Sequence, residues 1–387
     1  GYVDGGCYAH DRTDGMITDK VTASGEVDTT TLGDYTVTYT VEDSAGMVAT
    51  ATRIVHVVDD VDGGWDDDGI SVFMYHDVYD AANPPEGASS DQNLISTTLL
   101  DQQLSWLNEN GYYFPSWAEV RAYIEGGHSL PAKSVVLTFD DGSEGFLTYA
   151  IPLLENYKIP ATSFVICSDS DIQDKLSNYA SPYVDFQSHS YDLHRAGTSG
   201  KGHGGRIYDL TSDEVAEDLK QSADILKTSD AFAYPFGDVS DAAPAGVEQA
   251  GFLLAFTTQY GQVHPGDDPM QLKRMRVFGT YEQRSFEYQA AHGIGERSCP
   301  RSTGSDTSRS GCCSQYHRPP LSSEKVKASG ASTRKVSASA LASVSNRNTC
   351  SGFPIGGEDA AGCVLSRVTR PGAQPPAQAG SASPAVQ

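Results

Sequence analysis

Two carboxylates, Asp140 and Asp141, end the apolar run 134–139 and stand directly before Gly142. Neighbouring anions repel, and burial adds to the penalty, so such a pair calls for a cation that neutralises one member. A plain Asp-Asp-Gly turn is the alternative. The strand-end position favours the first reading, because α/β folds keep their chemistry at the C-terminal ends of strands. A second stretch, His189-Ser190-Tyr191-Asp192-Leu193-His194, follows a predicted strand over 183–188. Two neutral imidazoles and one carboxylate form a facial ligand set for zinc or a similar divalent ion, with positions left open for water and substrate. A third stretch runs from Phe232 to Gly237, with Pro235 fixing one φ and Gly237 letting the chain turn. It reads either as a strand-end turn or as a frame that aims the Phe236 N–H at a developing oxyanion. His76 follows a predicted strand over 70–75 and reads equally as a pocket residue or as an ordinary core or surface histidine.

These residues need a scaffold, and the pattern from Ile70 onward supplies one. Leu100, Leu104 and Leu107 recur at helical spacing, and the helix is expected to end near Gly111. Ser116 with Glu119, and Thr211 with Glu214, make capping boxes that open two further helices, the second reaching about Lys227. Residues 147–156 and the segment before Gly251 are also predicted helical. Apolar runs at 134–139, 161–166, 231–236, 252–257 and 274–278 read as strands. Strands separated by helices predict an α/β fold with a parallel sheet or barrel.

The flanks differ. In residues 1–58, Tyr35, Val37, Tyr39 and Val41 alternate with Thr36, Thr38, Thr40 and Glu42, a half-buried strand. A turn at Asp43–Gly46 and a Val-, Ile- and Thr-rich return strand over 48–58 follow. Residues 59–69 are acidic and Gly-rich; they read as a solvated linker, since the Glu-terminated spacing of a calcium loop is missing. Residues 291–387 lose all hydrophobic period. They carry 11 Lys and Arg against 5 Asp and Glu, leaving 16 against 46 for residues 1–290. Five of the seven cysteines also fall there, without the paired spacing of a zinc site. The expectation is a disordered tail, or a foreign or out-of-frame one. A body this acidic repels nucleic acid, and no apolar run approaches the roughly 20 residues of a membrane span.

The segment from Thr22 to Asp59, with "YTVTYTVEDSAG" at its centre, resembles the immunoglobulin-like modules of bacterial surface proteins. The resemblance implies a small all-β sandwich, with its first strand missing, in an extracellular or cell-surface setting. The segments "TFDDG", "QSHSYDLHR" and "AYPFG", in that order, resemble the polysaccharide deacetylase family, also called the NodB-homology or carbohydrate esterase family four. That resemblance spans about 70–290 and implies a distorted (β/α) barrel of fewer than eight strands. "MYHDV" and "NGYYFP" resemble the branch acting on poly-N-acetylglucosamine, while peptidoglycan and chitin-like oligomers remain open as substrates. It implies Asp140 as catalytic base, and Asp141, His189 and His194 as ligands of a divalent metal, with zinc as the first choice. It also implies the Phe236 N–H as oxyanion donor, with His76, Tyr234 and Pro235 near substrate.

Two departures from the family pattern stand out. Ala233 occupies the position where an Arg often orients the base, and Arg274 is the candidate to take over that role. The late Leu-x-His that supplies the general acid is missing, which leaves His264 as the candidate, with His292 and His317 beyond it. The expected reaction is metal-dependent hydrolysis of N-acetyl groups with release of acetate. The alternative is a catalytically impaired, glycan-binding surface protein.

Overall fold

The structure is a computed structural model describing residues 2–11, 13–57, 65–66, 69–293 and 364–365. The first unit is all-β: β1 (Tyr8–Asp11), β2 (Gly15–Met16), β3 (Thr22–Ser24), β4 (Gly33–Glu42) and β5 (Val48–Val57). β1 and β2 form an antiparallel hairpin, and β3-β4-β5 form an antiparallel sheet. The alternation along β4 does what its period predicts: Val37, Tyr39 and Val41 are buried and their neighbours face outward. Asp43 makes the turn before β5 by accepting from the N–H groups of Ala45 and Met47.

The second unit is a closed barrel of seven parallel strands. In chain order its elements are β6 (Ser71–Tyr75), α1 (Thr97–Glu109), α2 (Trp117–Ile124), β7 (Val135–Phe139), α3 (Ile151–Tyr157), β8 (Ala161–Val165), α4 (Ile172–Asn178), β9 (Val184–Ser188), α5 (Ser212–Leu226), β10 (Ala231–Ala233), α6 (Ala243–Gln249), β11 (Leu254–Tyr260), β12 (Leu272–Arg276) and α7 (Gln283–His292). The strands run β7-β8-β9-β10-β11-β12-β6, and β6 closes on β7 in register from Ser71–Val135 to Tyr75–Phe139. The predicted α/β barrel with fewer than eight strands is therefore what forms.

Both capping boxes are present. Ser116 accepts from Glu119 N and Thr211 from Glu214 N, while each Glu reaches back to its cap. The helix expected over 147–156 instead opens with a wide π-type turn at Phe146–Ala150, which packs the Phe146 ring 4.6 Å from that of Phe139. The strand expected over 231–236 stops at Ala233, because Pro235 cannot donate to the ladder. Two helices, α4 and α7, were not legible from periodicity; α7 buries Phe286 against Phe73 and runs past residue 290 to His292. In the expected linker, Trp65–Asp66 pairs antiparallel with Leu130–Pro131. The rest of that linker except Gly69, and nearly all of the expected tail, lie outside the described residues.

The units meet at Tyr8. Tyr8 Oη donates to Asp230, just before β10, and accepts from Gln187 on β9.

Candidate metal centre

Asp141, His189 and His194 converge at the C-terminal end of the barrel. The loops after β7 and β9, distant in sequence, come within reach of each other because only β8 separates their strands in the barrel. Asp141 Oδ1 lies 3.3 Å from His189 Nε2 and 3.4 Å from His194 Nε2. The three ligand atoms all fall within 4.8 Å of one another. Atoms held about 2.0–2.2 Å from one tetrahedral ion lie roughly 3.3 Å apart, so the spacing fits a zinc-sized cation. The tautomer fits as well. His189 Nδ1 sits 2.7 Å from the Ala233 carbonyl. A carbonyl only accepts, so the ring proton is on Nδ1 and the Nε2 lone pair faces inward.

The backbone is unusual at this same place. Among the described residues, five non-glycine residues have positive φ. Lys158 and Lys227 are left-handed caps of α3 and α5. The other three, Asp141 (75°), Ser190 (84°) and Phe236 (60°), all belong to the three motifs. Non-glycine residues in this region cost on the order of 1 kcal/mol or more each and persist where their surroundings fix them. Gly142, also at positive φ, has no room for a side chain: a Cβ would come 2.7 Å from Val165 Cγ1.

Asp140 is buried beside the cage. Both its oxygens accept from Arg274, Oδ1 from Nη1 and Oδ2 from Nη2, each at 2.7 Å. Arg274 is fully enclosed in the barrel. Its Nε donates to Thr257 O and its Nη1 to Thr138 Oγ1, which in turn donates to Phe73 O. Burial by itself raises the Asp140 pKa, but the Arg274 guanidinium, helped by His189 and His76, holds it below the usual carboxylate range. Burial likewise works against the Asp141 anion, and His189 outweighs it, keeping that pKa low. His76 follows β6 and is close enough for both carboxylates to act on its charge, yet burial lowers its pKa. His189 is pulled up by Asp141 and Asp140 against burial, whereas burial keeps His194 down.

Other expected site residues are placed elsewhere. His264 stands at the opposite end of the barrel, beside Gly69 and Asp267, because the chain descends after β11 and Val263 pairs with Ile70. It cannot reach a group at the cage. Tyr234 is wholly buried and donates to Met270 O, so it is a core residue and offers no surface to substrate. Pro235 is buried under the turn that carries Phe236. Phe236 itself is 38% exposed, with its ring 4.4 Å from that of His194. His292 ends α7, and His317 lies outside the described residues.

Three supports had no counterpart in the motif reading. The Ala233 carbonyl orients His189 and has no sequence signal. Asp238, nearly fully buried, accepts from the backbone N–H groups of His203 and Gly205 and holds their loop beside Phe236. Asp218 on α5 accepts from the N–H groups of Tyr191 and Asp192, between the two histidines.

The family profile described as Polysaccharide deacetylase matches residues 127–255, a stretch holding the carboxylate pair, both histidines and the Phe236 turn. The chain carries a polysaccharide deacetylase domain. Residues 1–57 match a second profile, described as Bacterial surface protein, Ig-like domain. Beyond these profiles, the chain is 29% identical over 209 residues to a poly-beta-1,6-N-acetyl-D-glucosamine N-deacetylase of Staphylococcus epidermidis, which spans 49% of this chain and 71% of that one. It is 40% identical over 99 residues to the enzyme of the same description from Escherichia coli, covering 25% of this chain but only 14% of that one. Among solved structures, IcaB from Ammonifex degensii is 28% identical, with a TM-score of 0.47 over 59% of this chain and 98% of its own. Within the described residues of the deacetylase domain and the Ig-like module, no helix is long and apolar enough to cross a membrane.

Proposed function

We propose that the deacetylase domain hydrolyses the N-acetyl groups of an N-acetylglucosamine polysaccharide, releasing acetate, with a divalent ion held by Asp141, His189 and His194. The observation that carries this reading is the convergence of those three side chains beside a buried carboxylate already paired with an arginine. One carboxylate oxygen and two imidazole nitrogens suit zinc. When bound, such an ion supplies Lewis acidity to a water molecule and to the acetamide carbonyl.

The protein's own groups do the rest. Asp140 keeps lone pairs free after accepting from Arg274 and takes the proton of the attacking water. Arg274 fixes the Asp140 carboxylate in one orientation, the role sought for it when Ala233 replaces the usual arginine. The N–H of Phe236 donates to the oxyanion as the carbonyl carbon becomes tetrahedral. The departing amine needs a proton, and His264 is out of reach. His76, whose charge both Asp140 and Asp141 influence, is the imidazole we assign to that amine. The two staphylococcal and enterobacterial relatives point to a poly-β-1,6-linked polymer among the acetylated glycans, and the Ig-like module to a location outside the cell.

The test is acetate release by the full chain from β-1,6-linked N-acetylglucosamine oligomers, with and without a chelator. Activity is expected to vanish with chelation, return with zinc, and fall by about 10²–10⁴-fold in Asp140→Asn. Stoichiometric zinc binding without acetate from any acetylated glycan defeats the catalytic reading and leaves the glycan-binding alternative.

A further inference from the structure

The loop between the two histidine ligands contains no secondary structure, yet its backbone groups are partnered one after another. The Ser190 N–H donates to Ser188 Oγ, itself 2.7 Å from Ser222 Oγ on α5. Ser190 O accepts from Cys167 N, and Tyr191 O from Ser168 N. Leu193 N donates to Ser190 Oγ. The N–H groups of Tyr191 and Asp192 both point at Asp218, 2.9 Å from Oδ1 and 2.9 Å from Oδ2.

Of these braces, Asp218 is the one that carries charge. Ser190, at φ 84°, turns the backbone so that two successive N–H groups face the same way and form a small anion cradle. In this chain the cradle is filled from within, by a carboxylate on a helix whose buried face (Val215, Leu219, Leu226) packs into the core. The helix is thereby tied to the loop at its midpoint.

We infer that Asp218 is a positioning residue for the metal centre: its two-oxygen grip on Tyr191 and Asp192 sets the separation of His189 and His194. The inference rests on the proposed metal site. A bound ion needs its ligands within a few tenths of an ångström of their ideal places, and groups that hold ligands typically contribute 10–100-fold to metal affinity. The histidines are five residues apart with a left-handed residue between them, so the loop can vary their separation unless both N–H groups are held. A carboxylate can accept both. An amide of the same size accepts one and turns its NH2 toward the other donor.

The experiment measures zinc affinity of the full chain by competition with a chromophoric chelator, for wild type, Asp218→Asn and Glu217→Gln. Glu217 is the exposed neighbour on α5, so its substitution removes the same charge without touching the loop. Two further readouts are the visible absorption of the cobalt-loaded proteins and the thermal midpoints of the chelator-treated ones. Asp218→Asn is expected to weaken zinc binding about 10–100-fold and to alter the cobalt bands, while Glu217→Gln matches wild type. Asp218→Ser, which leaves room for a water in the cradle, is run in parallel and keeps the comparison if the amide unfolds the domain. Wild-type affinity in both Asp218 variants overturns the inference and leaves the metal site standing. Equal weakening by Glu217→Gln also overturns it, by assigning the effect to net charge. A wild-type protein that binds no zinc removes the metal reading itself, and the inference with it.

Discussion

Arg274→Met is the sharpest test of how the barrel interior is built. Arg274 is completely enclosed and makes four hydrogen bonds: two to Asp140, one to Thr257 O and one to Thr138 Oγ1. Methionine fills a similar volume but leaves the Asp140 anion buried without its partner. Removing one member of a buried ion pair costs about 3–5 kcal/mol. For a domain of this size each kcal/mol moves the thermal midpoint by about 2–4 °C. The variant, stripped of metal, should therefore melt about 6–20 °C below wild type. Asp140→Asn alone removes the charge that needs the partner, so the double variant should recover part of the loss; the coupling, read from a double-mutant cycle by urea denaturation, should reach 0.5–3 kcal/mol. Arg274→Lys keeps the charge but not the paired geometry, and should retain stability better than activity. If Arg274→Met shifts the midpoint by less than 2 °C and still releases acetate at the wild-type rate, the picture of Arg274 as the partner and orienter of Asp140 is wrong.

Three further outcomes are expected. Gly142→Ala places a methyl against Val165 at a positive φ, and should lower both the melting temperature and zinc affinity, whereas Gly266→Ala, at positive φ but in open space, should leave zinc affinity alone. Thr211→Ala removes the cap of α5 and should cost about 1 kcal/mol in urea denaturation. Asp185, under the barrel and bonded to Thr162 and Trp117, has its pKa pushed up to about 6 by burial. Its folded pKa exceeds its unfolded value, so the protonated form is favoured by folding, and its contribution to stability is lost as pH rises from about 4 to about 6. Asp185→Asn should flatten that decline, which a series of urea titrations across this range would detect; an unchanged slope counts against the assignment.

The parts of the fold written in short periods were readable in advance. The alternation of β4, the capping boxes at Ser116 and Thr211, and the apolar strands ending at Asp140 all encode local preferences that the tertiary fold respects. So does the candidate ligand set, because Asp141 and His189 follow directly on strand ends and His194 lies in the same loop as His189. What was not readable depended on contacts between distant segments. His264 looked suitable by residue type alone, but the descent of the chain after β11 carries it to the far end. Tyr234 stands beside a functional turn, yet strand alternation turns its ring into the core. Asp218 did leave a trace: it lies three residues after Val215 and one before Leu219, a carboxylate on the buried side of an amphipathic helix. A charge in that place needs a partner, and the partner was a backbone that only the folded loop provides.

The three left-handed residues at the strand ends bear on how the proposed ion would be gained and lost. In small zinc modules the ion itself organises the chain, and a chelator unfolds them. Here the imidazoles and the carboxylate hang from turns already locked by a seven-stranded cylinder. If the three side chains hold an ion as proposed, removing it would leave the surrounding architecture standing, ready to be refilled without any renewed search for shape.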